Sequence, residues 1–150
     1  MKLKSVEEIL DFAIEKEQDA ADFYNSLAAK MNRKGMKDVF AGFAREEMGH
    51  KAKLLAVKDG RLMLSAEKKV ADLKIGDHLA DIELTANVGY QEALILAMKA
   101  EKAAFKLYSD LAAATDNADL RELLLSLAHE EAKHKLRFEV EYDEVILTEN

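Results

Sequence analysis

The chain contains no cysteine, no proline and no tryptophan among its 150 residues. Because proline disrupts a helix interior, its absence favours long, uninterrupted helices. The absence of cysteine excludes disulfides, thiolate catalysis and metal sites built on sulfur. Any metal site in this chain must therefore be built mainly from carboxylates, with nitrogen ligands available from only four histidines.

The sequence also lacks an excess of positive charge and a long apolar run. Its 29 acidic and 22 basic residues give a formal net charge of −7, which disfavours binding to nucleic acid and to anionic membranes. No segment reaches the roughly 18 consecutive apolar residues that a membrane span needs, and the N-terminus lacks the apolar run of a secretory signal. We therefore expect a single cytoplasmic domain over residues 1–150, with neither nucleic acid nor membrane as a partner.

Apolar residues recur at three- and four-residue spacing through four long segments, which predicts four amphipathic helices. Ser5 and Asp119 are predicted as helix N-caps, and Asp59-Gly60 is typical of a helix C-terminus. A frayed tail is expected over residues 143–150. The four helices are predicted over about residues 5–32, 36–58, 88–114 and 119–142.

Short connections join the first helix to the second and the third to the fourth, so each pair is predicted to form an antiparallel hairpin. The two pairs are separated by 26 residues, 61–86, a length that can travel along a whole bundle. We therefore predict an all-α four-helix bundle of two antiparallel helix hairpins joined by a long crossover.

The two predicted hairpins repeat one another in sequence. A shift of 84 residues aligns them without a gap. Four pairs of chemically distinctive residues then coincide: Glu17 and Glu101, Tyr24 and Tyr108, Glu47 and Glu131, and His50 and His134. The hairpins therefore look like two copies of one unit, packed around a pseudo-twofold axis.

The glutamates and histidines of this repeat lie near mid-helix on the apolar faces. A buried carboxylate is costly unless it is paired or protonated, so packing alone does not explain four together. Two divalent cations would offset the four negative charges, and the spacing matches the dimetal helix bundles, with two single glutamates and two Glu-x-x-His pairs. The sequence predicts two iron ions, or manganese or zinc in their place, held by Glu17, Glu47, His50, Glu101, Glu131 and His134.

Four neighbours of these residues have two alternative roles. Tyr24 and Tyr108 are either core aromatics with satisfied hydroxyls or donors that hold a carboxylate of the opposite hairpin. Glu46 and Glu130 either face solvent or orient a histidine ring across the site. Two histidines are expected at the surface, outside the site: His78 and His129.

Five segments resemble the rubrerythrin-like di-iron proteins of the ferritin-like superfamily. They are residues 17–24, 46–50, 72–77, 100–108 and 129–134, so that the resemblance extends over nearly the whole chain. It implies a di-iron centre that reacts with hydrogen peroxide or dioxygen, commonly in oxidative-stress defence. It also implies oligomers, and we expect a homodimer.

The sequence departs from that family pattern in two ways. Full rubrerythrins append a rubredoxin domain whose cysteines hold iron, whereas this chain has no cysteine, so the resemblance implies a separate electron donor such as rubredoxin. Rubrerythrins also carry a second glutamate one turn before the ligand of the third helix, where this chain has Met98. Because methionine offers no carboxylate, the ligand set is more symmetric and closer to that of ferritin ferroxidase centres.

We expect an oxidoreductase in which Glu47 and Glu131 bridge two metal ions, while Glu17 and Glu101 are terminal ligands. Each histidine of the repeat would hold one metal, and the two tyrosines would fix the carboxylates. Two other hypotheses remain open. One is iron oxidation for storage or as a metal reservoir, and the other is a structural bundle whose relict site holds no metal.

Overall fold

The computed structural model describes residues 2–3, 5–60, 73–74 and 89–149. Its helices, in chain order, are α1 (Val6–Lys30), α2 (Lys34–Lys58), α3 (Tyr90–Ala114) and α4 (Ala118–Glu149). Two short strands, β1 (Lys2–Leu3) and β2 (Leu73–Lys74), pair antiparallel. Apart from β2, the predicted crossover over residues 61–86 lies outside the described residues, and so does His78.

The four helices are organised as two hairpins. α1 packs along α2 and α3 packs along α4, whereas α1 and α3 touch over a short length. Three residues join the members of each pair, 31–33 in the first and 115–117 in the second, so the partners run antiparallel. These contacts confirm the predicted all-α bundle of two helix hairpins. Within the described part of the chain, no helix is both long and apolar enough to cross a membrane.

The interior of the bundle consists of two apolar clusters, one toward each end. We call the first the aliphatic end, whose buried members include Leu54, Leu111, Leu124 and Leu127. We call the second the aromatic end, whose buried members include Tyr24, Phe40, Phe43 and Phe138. The 84-residue shift exchanges the two ends, because the N-terminal half of α1 lies at the aliphatic end and that of α3 at the aromatic end.

Two predicted helix termini are confirmed. Ser5 is the N-cap of α1, because its Oγ accepts a hydrogen bond from the backbone N–H of Glu8 at 3.1 Å. At the end of α2, Gly60 has a φ of +80°, a conformation that side chains with a Cβ rarely adopt. The glycine therefore lets the chain turn away after Asp59.

The start of α4 differs from its prediction. The N-cap is Asn117, since its Oδ1 accepts a hydrogen bond from the Leu120 backbone N–H at 3.0 Å. The prediction of Asp119 as the cap is wrong, because the helix begins at Ala118 and Asp119 lies within its first turn.

The end of α4 also differs from its prediction, because the helix continues to Glu149. The frayed tail expected over residues 143–150 is therefore wrong for 143–149. The physical reason is tertiary packing: Tyr142 and Val145 lie against the aromatic end, and this apolar contact stabilises turns that have little helical support of their own.

Candidate metal centre

The six predicted ligands meet at the middle of the bundle, between the aromatic and aliphatic ends. Each helix contributes one carboxylate that is only 1% exposed: Glu17 from α1, Glu47 from α2, Glu101 from α3 and Glu131 from α4. One turn after the glutamates of α2 and α4 come the two histidines. His134 is 1% exposed, whereas the side chain of His50 is 14% exposed.

The ligand atoms of these residues form two overlapping groups in which all atoms lie within 4.8 Å of one another. The first group contains Glu17 and His50, and the second contains Glu101 and His134. Glu47 and Glu131 belong to both groups. This is the arrangement that two neighbouring cations with two shared carboxylates require. His50, Glu130 and His134 form a third group within the same distance.

Both histidines turn Nδ1 toward the carboxylates. His50 Nδ1 lies 3.2 Å from Glu131 Oε1 and 3.5 Å from Glu17 Oε2. His134 Nδ1 lies 3.1 Å from Glu47 Oε1 and 3.4 Å from an oxygen of Glu101. The two imidazole rings are nearly parallel, at an interplanar angle of 8° with centroids 5.7 Å apart.

Buried polar atoms without a hydrogen-bond partner are concentrated in this cluster. In the described residues there are seven such side-chain atoms, and every one belongs to these six residues: Glu17 Oε2, Glu47 Oε1, His50 Nδ1, Glu101 Oε2, Glu131 Oε1, His134 Nδ1 and His134 Nε2. Buried polar groups in folded proteins are otherwise almost always paired. Oxygen and imidazole nitrogen are the ligands that iron, manganese and zinc accept, so this donor set fits two such cations.

Two tyrosine hydroxyls tie the hairpins together at the cluster. Tyr24 of α1 donates to Glu101 Oε1 of α3, and Tyr108 of α3 donates to Glu17 Oε1 of α1, the latter at 2.5 Å. Two alternatives were open for these tyrosines, a core aromatic or a donor to a carboxylate of the opposite hairpin. In the structure both tyrosines are such donors. Because each hydroxyl occupies Oε1, the Oε2 atoms of Glu17 and Glu101 are left free to bind a cation.

The electrostatics of the cluster favour an added positive charge. Burial raises the pKa of the Glu47 and Glu131 carboxyls well above the usual range, and repulsion from the neighbouring carboxylates adds to the increase. Burial lowers the pKa of His134, but the nearby Glu101 and Glu47 carboxylates outweigh it and raise that pKa to about 10. Without a cation, protons bound to these carboxyl and imidazole groups must therefore offset the negative charge of the cluster.

The His134 side of the cluster is more enclosed than the His50 side. The Phe43 ring meets the His134 ring edge-on at 4.9 Å, and the Arg137 guanidinium lies 4.3 Å from the Phe43 centroid. Arg137 also forms an ion pair with Glu46 at 3.0 Å, and Glu46 Oε1 lies 3.6 Å from His134 Nε2. Glu46 is thus partly exposed and near the ring, at a distance too long for a hydrogen bond.

Other residues singled out from the sequence lie outside the cluster or at its edge. Glu130 is partly exposed and pairs with Lys133 at 3.3 Å. His129 is exposed, which confirms its predicted place at the surface. Met98, at the position where rubrerythrins carry an extra glutamate, is half-buried and packs against the aromatic end.

A cavity of about 270 Å³ lies between α1 and α3 and reaches the carboxylates. Three candidate ligands line it, Glu17, Glu47 and Glu131, together with Tyr108. Its other walls include four alanines for which no role was predicted from the sequence: Ala20, Ala100, Ala103 and Ala104. Three of them, Ala100, Ala103 and Ala104, are spaced i, i+3 and i+4 and therefore share one face of α3. This spacing is the sequence pattern from which an alanine-lined face could have been predicted.

Comparisons with known proteins identify the family and a similar fold. The model of the rubrerythrin family matches residues 8–142 of the chain. A solved structure of a hypothetical protein from Pyrococcus furiosus is similar in fold, with a TM-score of 0.65 and 24% sequence identity. That similarity covers 91% of this chain and 87% of the other. No curated protein matches the sequence.

Proposed function

Because the chain belongs to the rubrerythrin family, we propose that it is a di-iron oxidoreductase that reduces hydrogen peroxide or dioxygen in oxidative-stress defence. The observation that carries the proposal is the set of seven buried, unpartnered N and O atoms, all of which belong to four glutamates and two histidines. Two ferrous ions bound by this set would supply one electron each to the oxidant. Manganese or zinc would fit the same donors.

Within this proposal the chain's own residues have distinct roles. Glu47 and Glu131 are shared by both groups of ligand atoms, which supports a bridging role for them. Glu17 and Glu101 each belong to one group and are held by a tyrosine, which supports a terminal role with a fixed carboxylate. Such outer hydrogen bonds orient a ligand and reduce the cost of reorganisation when charge changes at the site.

The proposal includes a separate electron donor such as rubredoxin, because the chain has no cysteine with which to hold the iron of a rubredoxin domain. The cytoplasmic location and the homodimer expected from the sequence are part of the same proposal. Neither nucleic acid nor a membrane is included among the partners.

The proposal is tested by metal analysis followed by anaerobic mixing of the ferrous protein with each oxidant. We expect about two metal ions per chain and a rapid absorbance increase, as the irons become ferric, with hydrogen peroxide, dioxygen or both. A protein that binds two irons and reacts with neither oxidant would contradict the proposal.

Glu101→Gln and Glu92→Gln form a matched pair for this experiment, because both lie in α3 and only Glu101 lies in the cluster. Glu92 is exposed in the first turn of the helix. We expect Glu101→Gln to lose metal and the oxidation signal, and Glu92→Gln to behave as wild type. Equal metal content and oxidation signal in the two variants would show that Glu101 is not a metal ligand.

Iron oxidation for storage is the second candidate function, and the position of Met98 supports it. Without a carboxylate at that position, the donor set is symmetric between the hairpins, as in ferroxidase centres. Storage requires a hollow shell of many subunits, so size-exclusion chromatography discriminates between the two candidates. A dimer would exclude storage, and a large assembly that accumulates iron would favour it.

A further inference from the structure

The cavity between α1 and α3 is larger than hydrogen peroxide or dioxygen requires. Its volume of about 270 Å³ far exceeds the roughly 10–15 Å³ that a cavity needs to hold one water molecule. It approaches the lower end of the pockets, about 300–1,000 Å³, that hold small organic molecules. Dioxygen and hydrogen peroxide each have only two non-hydrogen atoms and would leave most of this space unused.

The chemistry of the cavity changes from its outer to its inner end. Lys16, which is partly exposed, and Asp19, which is exposed, lie 3.9 Å apart and contribute to its outer wall. The apolar part of the lining consists of Phe23, Leu107 and four alanines. The inner end contains the free Glu17 Oε2 and the hydroxyl of Tyr108, which donates to the same carboxylate. A ligand suited to this space has an apolar body and one polar, reducible end.

We propose that the cavity admits organic hydroperoxides, with the alkyl or aryl group between α1 and α3 and the hydroperoxide group at the carboxylates. This inference rests on the proposed function, since the metal pair supplies the electrons. In the reaction the O–O bond breaks, two protons are taken from solvent, and one electron comes from each of two ferrous ions. One oxygen leaves in the alcohol and the other in water, so atoms and electrons balance.

Ala20 and Ala104 line the cavity from two different helices. They occupy equivalent positions in the repeat, on α1 and α3, and both belong to the apolar part of the lining. A larger side chain at either position would project into the space that the organic group needs. We infer that these two alanines determine which hydroperoxides reach the centre.

A binding experiment tests the cavity without any turnover. The zinc-loaded protein, which is redox-inactive, is titrated with cumyl alcohol, the alcohol formed from cumene hydroperoxide, and the alanine methyl signals are followed by NMR. We expect shifts at Ala20 and Ala104 and none at Ala113, an exposed alanine of α3 that does not line the cavity. Absence of shifts at the cavity alanines would overturn the proposal.

A kinetic experiment uses the ferrous protein with cumene hydroperoxide and with hydrogen peroxide. We expect Ala104→Leu and, separately, Ala20→Leu to lower the ratio of the cumene hydroperoxide rate to the hydrogen peroxide rate at least tenfold. Ala113→Leu is the matched control, and circular dichroism verifies that each variant is folded. An unchanged ratio in both folded variants would overturn the proposal.

Failure of this inference is distinguishable from failure of the proposed function. A wild-type protein that oxidises with hydrogen peroxide but not with cumene hydroperoxide contradicts the inference alone. A ferrous protein that reacts with no oxidant contradicts the proposed function, and the alcohol titration then still decides whether the cavity binds the organic group.

Discussion

The two ends of the bundle occupy equivalent positions in the repeat but are packed with different side chains. Phe43 and Phe138 of the aromatic end correspond, after the 84-residue shift, to Leu127 and Leu54 of the aliphatic end. The six candidate ligands between the ends, and the two tyrosines that contact them, repeat without change. Apolar packing therefore tolerates exchange of aromatic for aliphatic residues, whereas the arrangement of charged groups at the centre does not vary between the hairpins.

This difference in packing extends to the two histidines. Phe43 covers His134, and the ion pair of Arg137 with Glu46 lies beside it, so that His134 is 1% exposed. His50 is 14% exposed. The two candidate metal positions therefore have similar donors in different surroundings, and the more enclosed one is expected to exchange its ion more slowly.

Removal of both metals is expected to have the largest effect, because it acts on both hairpins. Each ion that binds only the folded state stabilises it by about 2.7 kcal/mol at a free concentration of 100 Kd. We expect a chelator to lower the melting temperature by more than about 10 °C, since 1 kcal/mol corresponds to about 2–4 °C in a domain of this size. Differential scanning calorimetry before and after chelation measures the shift. An unchanged melting temperature would indicate that the cluster binds no metal.

Replacement of a single histidine tests whether the two metal positions differ. We expect His134→Ala and His50→Ala each to lose one of the two ions. The affinity for that ion should fall by more than the roughly 10–100-fold that substitutions of residues outside the ligand set cause. Because His134 is the more buried, its variant should also show the larger loss of stability. Metal analysis and thermal unfolding measure both quantities.

His129→Ala is the control for these variants, because His129 is exposed on α4 and lies outside the cluster. It should retain both ions and the wild-type melting temperature. Equal losses for His134→Ala and His50→Ala would show that the difference in enclosure has no energetic consequence.

The positions of the six residues were predictable from the sequence because two independent signals coincide. Apolar periodicity predicts the buried face of each helix, and the repeat places Glu17, Glu101 and their partners at equivalent heights. Their convergence follows from two antiparallel hairpins, and the structure contains it. That they bind metal stays a prediction.

Other features depend on packing between helices that no local pattern encodes. The Arg137–Glu46 pair joins α4 to α2 and is 91 residues apart in sequence. The cavity results from alanines on α1 and α3 that face each other only in the assembled bundle. The extension of α4 to Glu149 likewise depends on contacts of Tyr142 and Val145 with the aromatic end.

A packing substitution tests whether the aromatic end contributes to stability without affecting the site. Phe138 is 1% exposed and stacks near Tyr24, Phe40 and Phe43. We expect Phe138→Leu, which imitates its counterpart Leu54, to cost about 1–3 kcal/mol in the free energy of unfolding while both metals are retained. Val140→Ala, at an exposed position of α4, should change stability by less than about 0.5 kcal/mol. Loss of metal in folded Phe138→Leu would show that packing and site are coupled.

The smallest expected effect concerns the short connections within the two hairpins, where Asn117 corresponds to Arg33 in the sequence repeat. Asn117 caps α4 through its hydrogen bond to the Leu120 N–H, whereas Arg33 occupies the N-cap of α2 without a side-chain cap. The backbone of Arg33, at φ −101° and ψ 138°, already has the extended conformation that a capping residue adopts.

Asn117→Ala should therefore cost about 1 kcal/mol in the free energy of unfolding, and Arg33→Asn should stabilise the protein by up to about 1 kcal/mol. Urea unfolding measures both changes, with Asp119→Ala as the control for a polar residue that is not the cap. A destabilised Arg33→Asn variant would mean that the two connections are not equivalent, because the arginine then contributes something that a cap cannot replace.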